Sequence, residues 1–183
     1  LNIMITFLIS GLITAAVGIL FGLPSLRIKG FYLAVATLAS QFFLVWLFNK
    51  VPWFYNYSDT GQITVSERVM FGVPVTGATA PPYATYLFCL VLVVALGFAA
   101  KNLIRSKTGR SWMAIRDMDI AAEIIGVPPL KTKLTAFAIS SFYIGVAGAL
   151  YFAVFLGAIE VTESFDIMTI SFPVLFMIII GGL

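Results

Sequence analysis

Five runs of apolar residues, each about long enough to cross a lipid bilayer as a helix, constrain the fold of this chain most. A helix needs about 20 residues, at about 1.5 Å each, to cross the hydrocarbon core. The first run has no basic segment before it, which favours a membrane helix over a signal peptide. We therefore predict an all-α fold, a polytopic transmembrane helical bundle of about five spans, at residues 1–23, 31–48, 83–100 and 134–157 and from residue 167 onward.

The composition agrees with a membrane protein and excludes several kinds of chemistry. Hydrophobic residues make up 61% and charged residues 10% of the sequence, and the mean hydropathy is +1.04. Soluble domains are about 45–50% apolar and about 25% charged. The sequence has one cysteine, Cys89, and no histidine. A disulfide within the chain and histidine-based metal or general-base chemistry are therefore excluded, and we predict no metal and no nucleic-acid partner.

Both ends of the sequence indicate a piece of a longer polypeptide. The chain begins at Leu1 rather than at a methionine, and it ends at Leu183 within an apolar run. We expect truncation at both ends. Residues 1–183 are interpreted as a single transmembrane domain that contains one long polar segment, residues 101–133.

The distribution of basic residues predicts the orientation of the spans. Residues 101–133 carry seven of the eleven Lys and Arg residues, and residues 24–30 carry two more. Only Lys50 and Arg68 fall in the loops of the opposite side. Because basic loops stay cytoplasmic, we predict that residues 101–133 are cytoplasmic. The external loops are then residues 49–82 and 158–166.

The polar segment contains a predicted helix over residues 111–125. Ser111 is a suitable N-cap, and Gly126, followed by two prolines, is a stop signal. At 100° per residue, one apolar face collects Ala114, Ile115, Met118, Ala121, Ala122 and Ile125. Such a face fits a groove on a protein, because the acidic residues of the same helix are repelled by an anionic lipid surface.

A basic cluster precedes this helix. It consists of Lys101, Arg105, Lys107 and Arg110. The cluster sets the membrane orientation on one interpretation, and on another it contacts lipid phosphates or an acidic partner.

The fourth predicted span has small residues at every fourth position, which we call the ridge. Its members are Ser141, Gly145, Ala149, Ala153 and Gly157. Small residues in one row let two helix backbones approach closely, which is how helices associate in lipid. The ridge therefore indicates close packing, either within this subunit or between subunits.

The predicted spans contain neutral polar residues and no internal ionisable group of the kind that ion-coupled carriers use. The energy source is therefore expected outside the membrane. Thr37, Ser40 and Gln41 lie within about one turn of the second span. They either line a polar translocation path or form hydrogen bonds between helices.

Three stretches of sequence carry a family resemblance. Residues 109–126 read Gly-Arg-Ser-Trp-Met-Ala-Ile-Arg-Asp-Met-Asp-Ile-Ala-Ala-Glu-Ile-Ile-Gly, and residues 26–39 and 133–140 add further matching runs. Together they closely resemble the permease subunits of branched-chain amino-acid ABC importers, and within them the M-type partner of a two-permease pair. The general importer signature, Glu-Ala-Ala-x-x-x-Gly, aligns with residues 120–126, where Ile120 replaces the glutamate.

The resemblance implies an importer of branched-chain amino acids in a bacterial or archaeal inner membrane. The expected partners are a second permease, two cytoplasmic ATPase subunits, a periplasmic or lipid-anchored binding protein and membrane lipid. The permease is expected to be no enzyme and to hold no cofactor, because the ATPases bind the ATP. Residues 111–126 would be the coupling helix, with contacts from Arg110, Arg116, Asp117, Ala121, Ala122, Glu123 and Gly126. A charge introduced at Ala122 or Gly126 is expected to disrupt docking.

Other functions stay open at this point. Permeases of the same family are thought to carry urea, short amides or other amino acids. An ATP-independent facilitator or a membrane scaffold belongs to a different class. The facilitator would be expected to carry an ionisable group inside the membrane, and the scaffold gives no reason for the shaped helix of the polar segment.

Overall fold

The fold is a bundle of long helices with short strands at one end. The computed structural model describes residues 3–26, 31–55, 57–58, 61–70, 72–77, 80–160 and 171–181. The helices are α1 (Ile3–Ser25), α2 (Phe31–Lys50), α3 (Pro82–Arg105), α4 (Lys107–Asp117), α5 (Asp119–Ile124), α6 (Pro129–Tyr151) and α7 (Phe172–Ile180). A 3-10 helix (Pro52–Tyr55) follows α2, and a π-helix (Phe152–Leu156) continues α6. The strands are β1 (Gln62–Thr64), β2 (Arg68–Met70), β3 (Val73–Thr76) and β4 (Ala158–Glu160).

The predicted helical bundle is confirmed by the long helices. Three of them are long and apolar enough to cross a membrane: Ile3–Pro24, Pro82–Arg105 and Pro129–Leu156. They correspond to the first, third and fourth predicted spans. The second predicted span coincides with α2, which has 20 residues. α7 lies within the fifth predicted region, of which residues 167–170 and 182–183 lie outside the described residues.

Two predicted boundaries are wrong, because helical structure extends past the apolar runs. α3 continues through Lys101 to Arg105, so its last turn is polar. α6 begins at Pro129, five residues before the predicted start of the span. A proline fits the first turn of a helix, since the N–H that it lacks has no helical partner there. Residues 106–128 therefore connect α3 to α6, and both helices extend into the polar segment of residues 101–133.

α1 and α6 pack against each other in an antiparallel arrangement, through glycines on both helices. Gly22 lies against Phe137, Gly18 against Ser141, and Gly145 against Thr14. Each step of four residues along α1 is thus matched by four residues back along α6. A methyl group at Gly145 would lie 2.5 Å from Thr14 Oγ1, closer than atoms can approach. The absence of side chains at these positions is what lets the helices come together in lipid.

A small hydrophobic core joins four elements at one end of this helix pair. Its buried members are Ile3, Phe7, Val75, Phe88 and Val146. The rings of Phe7 and Phe88 pack with their centres 5.8 Å apart. Further along, the Tyr143 hydroxyl donates a hydrogen bond to the Leu96 carbonyl at 3.0 Å, which fastens α6 to α3.

The four strands are the one departure from an all-α fold among the described residues. β1 pairs antiparallel with β4, so that Gln62 lies opposite Glu160, and the Val65 amide donates to the Gly157 carbonyl at 2.8 Å. β2 pairs with β3. β1 and β4 come from two separate loops, both of which the sequence predicts to be external. Their pairing places these loops on the same side of the bundle, as predicted.

Candidate functional site: the polar segment, the ridge and the polar residues of the second span

The polar segment folds as two helices rather than one. α4 ends at Asp117, Met118 is extended (φ −153°, ψ 99°), and α5 begins at Asp119. The predicted start at Ser111 is also wrong. The N-cap is Ser106, whose hydroxyl accepts a hydrogen bond from the Gly109 amide at 3.4 Å and donates one to the Leu103 carbonyl at 2.6 Å.

Ser111 lies inside α4 instead of capping it. Its hydroxyl donates to the Lys107 carbonyl one turn earlier, at 3.1 Å. From the sequence, Ser111 and Ser106 are both possible N-caps, since serine is favourable at that position. Ser106 takes the cap because α3 ends at Arg105, directly before it.

Gly109 sets the sharp connection between α3 and α4. It is buried, and a methyl group there would overlap the backbone carbonyl of Ile104 and lie 2.6 Å from the Ile104 Cα. Only a residue without a side chain fits such an approach of one helix to the last turn of another. The direction in which α4 leaves α3 therefore depends on this glycine.

The predicted stop at Gly126 is confirmed in detail. The Val127 amide donates to the Ala122 carbonyl at 2.9 Å, and the Gly126 amide donates to the Glu123 carbonyl at 3.0 Å. Gly126 has φ +88°, in the left-handed region. These two bonds and this conformation form a Schellman motif, which satisfies carbonyls at the end of α5.

The predicted apolar face is divided by the break at Met118. Ile115 on α4 and Ala122 on α5 are buried in the chain, and Ala122 is only 2% exposed. Ala122 therefore cannot lie on a docking surface, and that part of the prediction is wrong. Because the helix restarts after Met118, the side chains that point outward differ from those of one continuous helix.

An exposed apolar surface remains on α5, which we call the α5 patch. Its members are 70–82% exposed: Met118, Ile120, Ile124 and Ile125. Ala121 and Gly126 are exposed beside it. Ile120 and Ile124 were missed as site residues in the sequence, because a single helix over residues 111–125 does not place them on its apolar face. Two adjacent isoleucines in a polar segment are the signal that could have identified part of the patch.

Both helices of the polar segment are attached to the beginning of α6. The Trp112 indole N–H on α4 donates to Thr135 Oγ1 at 3.2 Å. On α5, Asp119 Oδ2 lies 3.8 Å from Lys133 Nζ. Thr132, next to Lys133, is buried and donates from its hydroxyl to the Pro128 carbonyl at 2.9 Å. The segment is thus held as one unit against α6.

The charged residues predicted for the coupling helix lie on the outside of this unit. Arg110 donates to the Arg105 carbonyl at 3.2 Å, at the end of α3, where a cation is favourable. Arg116 pairs with its neighbour Asp117 at 2.9 Å, and both side chains are well exposed. Glu123 is exposed on α5. An exposed pair of this kind contributes little to stability, about 0–1 kcal/mol.

Four of the five ridge residues pack within this chain. Ser141 and Gly145 lie against α1, while Ala149 and Ala153 pack against the hydrophobic core. Gly157 does not belong to the ridge. The helix changes to π geometry at Phe152, which shifts the phase of later residues, and Gly157 ends it with φ +68°. The described contacts therefore correspond to packing within the subunit.

The polar residues of the second span make a contact between helices. Gln41 Nε2 donates a hydrogen bond to Ser171 Oγ at 2.6 Å, next to α7. Ser40 is half-buried beside it, and the side chain of Thr37 lies outside the described residues. The Gln41 contact is of the kind expected for hydrogen bonding between helices. A role in the translocation path stays a prediction.

Curated relatives match nearly the whole chain. The chain is 32% identical to the High-affinity branched-chain amino acid transport system permease protein LivM of Salmonella typhimurium and 33% identical to LivM of Escherichia coli. Each match covers 96% of this chain and 45% of the relative. A Probable ABC transporter permease protein, y4mJ, of Sinorhizobium fredii is 28% identical over 94% of the chain and 49% of its own length. The chain thus spans about half the length of these relatives.

No solved structure matches this chain significantly. The family comparison covers the chain completely: residues 1–183 match the family model described as Branched-chain amino acid transport system / permease component. With three helices able to span a membrane, the chain is a multi-pass protein of the bacterial inner membrane. It belongs to the family of permease components of branched-chain amino acid transport systems.

Proposed function

We propose that this chain is the transmembrane part of a permease subunit in an ABC importer for branched-chain amino acids. A second permease would complete the path, two cytoplasmic ATPase subunits would drive it, and an external binding protein would deliver the solute. The observation that carries this proposal is the α5 patch, a group of large apolar side chains exposed outside the spans. Clustered exposed apolar side chains mark sites of protein contact.

The surroundings of the α5 patch favour a protein partner over a lipid surface. Asp117, Asp119 and Glu123 flank the patch, and acidic side chains are repelled by the anionic lipids of a cytoplasmic leaflet. The burial of Ala122 on α5 and the hydrogen bond from Trp112 to α6 position the patch, and the exposed Asp119–Lys133 pair adds little. A fixed apolar surface loses little conformational entropy when a partner binds it.

ATP binding and hydrolysis are assigned to partner subunits, and the permease is proposed to catalyse no reaction and to hold no cofactor. A P-loop needs a glycine-rich stretch that ends in Gly-Lys-Ser or Gly-Lys-Thr. The nearest run in this chain, residues 106–109, reads Ser-Lys-Thr-Gly, in the wrong order. ATP-driven closure of the partners would move the polar segment as a rigid body and switch the path between its two orientations.

The solute is proposed to be a branched-chain amino acid because two of the matching relatives are permease proteins of transport systems named for that solute. Urea, short amides and other amino acids are the alternatives within the family. An uptake assay separates them. Proteoliposomes with the full-length importer are expected to take up leucine, isoleucine and valine with ATP, and to take up urea or acetamide much more slowly.

The docking proposal is tested with a charge in the α5 patch of the full-length protein. Ile124, 82% exposed, is changed to aspartate. Burying an unpaired carboxylate in an interface costs several kcal/mol, so Ile124→Asp should abolish co-purification of the ATPase subunits and ATP-driven uptake. Membrane insertion and protein amount should stay normal, since Ile124 packs against little of the permease itself.

Leu130→Asp is the matched control. Leu130 is exposed in the first turn of α6, where an acidic residue is favourable. This variant should retain its ATPase subunits. Ala122→Asp serves as a second reference, because a charge at this buried position is expected to reduce the amount of folded protein. Normal ATPase recovery with Ile124→Asp would refute the docking proposal, and uptake without any ATPase would identify a facilitator.

A further inference from the structure

A cavity of about 160 Å³ lies at the external end of the bundle, where α1 and α6 meet the strands. One wall is mostly apolar. It is formed by Ile3 and Phe7 on α1, with Thr6 as its one polar residue, and by Ala149, Phe152 and Ala153 around the end of α6. Ile3 and Phe7 also belong to the hydrophobic core, so their positions are fixed by packing.

The opposite wall is polar and comes from the segment around β1 to β3. Thr64, Ser66, Arg68 and Thr76 line it, and among the described lining residues Arg68 is the only charged one. The wall is held by hydrogen bonds: the Arg68 amide donates to Thr76 Oγ1 at 3.1 Å, and the Thr76 hydroxyl donates to the Ser66 carbonyl at 3.4 Å. Thr76 is buried, so this framework is fixed.

The apolar wall includes the change from α-helix to π-helix. Phe152 and Ala153 are the first two residues of the π segment and both line the cavity. A π-helix widens the turn and occurs mostly at functional sites. In this chain the widened turn lies next to the polar wall, and the Val65 amide bonds the Gly157 carbonyl where the π segment ends.

We propose that this cavity binds one aliphatic amino acid on its way through the membrane. The inference rests on the proposed function and extends it to a site. The aliphatic side chain would pack on Phe7, Ala149 and Ala153. The carboxylate would lie toward Arg68, which can hold a carboxylate by charge-assisted hydrogen bonds, and the ammonium group toward the hydroxyls of the polar wall.

The size and lining of the cavity match this class of ligand. An apolar cavity of about 150 Å³ in another protein accepts benzene, and the four-carbon side chain of leucine is smaller than benzene. The ammonium and carboxylate groups of a zwitterion can find polar partners along the polar wall. A lysine or glutamate side chain would place its charge against a wall whose only described polar side chain is that of Thr6, with no opposite charge to pair it, which is unfavourable. The cavity thus selects for a short apolar side chain.

The first test reduces the cavity. Ala153→Leu fills the apolar wall, and Ala147→Leu, at an exposed position on another side of α6, is the matched control. In proteoliposomes with the full importer, Ala153→Leu should lower leucine uptake at least tenfold and alanine uptake much less. Ala147→Leu should leave both rates unchanged. Equal loss of leucine and alanine uptake, or no loss of either, would overturn the proposal.

The second test measures occupancy without transport. Ser66→Cys lines the cavity, and Val69→Cys is exposed on β2 outside it. Each is placed in a cysteine-free background of the full importer without ATP and labelled with a charged thiol reagent. Leucine should slow labelling of Ser66→Cys at least fivefold, lysine should not, and Val69→Cys should be labelled equally in all conditions.

The two proposals fail in different ways. If the unaltered importer takes up leucine but leucine gives no protection of Ser66→Cys, the cavity is not the site while the proposed function stands. If the unaltered importer takes up no aliphatic amino acid, the proposed function fails and this inference fails with it. Protection by lysine equal to that by leucine would overturn the assigned ligand class.

Discussion

The Ser10 hydroxyl donates a hydrogen bond to the Gly145 carbonyl, at 3.2 Å, across the contact between α1 and α6. Both residues are small, so the helices come close enough for a side chain of one to bond the backbone of the other. In membranes such bonds contribute about 0.6 kcal/mol on average. Most of the stability of this contact therefore comes from close packing, and the packing depends on glycine.

Gly145→Ala is expected to destabilise the helix pair. The added methyl group would lie 2.5 Å from Thr14 Oγ1 and 3.1 Å from the Gly11 Cα. Overpacking of this kind costs about 1–3 kcal/mol. Unfolding of the purified full-length protein in mixed micelles should show this loss. Gly148→Ala, where no atom lies within 4 Å, should match the unaltered protein or gain up to about 1 kcal/mol. Equal effects of the two changes would contradict the packing described.

Gly109→Ala is expected to misdirect α4. The methyl group would overlap the Ile104 carbonyl, which belongs to the backbone and cannot turn away as a side chain can. We expect a loss of about 1–3 kcal/mol and faster proteolysis of the polar segment in inverted vesicles. Gly97→Ala on α3 has no atom within 4 Å and is the control. Unchanged proteolysis with Gly109→Ala would show that the close approach is absent in the membrane.

Gly126→Ala is expected to loosen the end of α5 without any clash. No atom lies within 4 Å of the added methyl group, so the cost comes from the left-handed backbone, about 1–2 kcal/mol. Hydrogen exchange of the Val127 amide should speed up about 5- to 30-fold. Gly126→Asn should show a smaller change, since asparagine tolerates this conformation. If the Val127 amide exchanged at the same rate in Gly126→Ala as in the unaltered protein, the Schellman motif would be excluded.

Gln41 and Ser171 are expected to be coupled in stability. Their hydrogen bond is 2.6 Å long, and a double-mutant cycle with Gln41→Leu and Ser171→Ala should give a coupling of about 0.6–1.7 kcal/mol. If the pair only joins helices, the relative uptake rates of leucine and valine should stay unchanged in both variants. A change in that ratio would instead assign Gln41 to the translocation path.

The long helices could be predicted from the sequence because lipid imposes length and apolarity on every span. The cytoplasmic placement of residues 101–133 rests on charge alone and stays a prediction. The pairing of β1 with β4 could not be predicted. Each strand has only three residues, which is too few for an alternation of polar and apolar side chains to be recognised. Its two segments are also almost 100 residues apart in the chain.

The candidate site was only partly predictable. Gly126 could be identified as a helix stop because the preference for glycine there is local: the residue after a helix often adopts a left-handed backbone, which glycine favours. The burial of Ala122 had no local signal, since it depends on the break at Met118 and on the packing of α5 against the rest of the chain. The cavity was likewise hidden, because its walls come from α1, the strands and α6.

α6 carries the attachments of the polar segment at one end and the apolar wall of the cavity at the other. With its π-helical end it runs without interruption for 28 residues, about 40 Å. A helix of this kind resists compression along its axis, so a partner that shifted Trp112 and Asp119 would also shift Phe152 and Ala153. Mechanical work done at the polar segment would then reach the opposite end of the bundle through a single rigid helix.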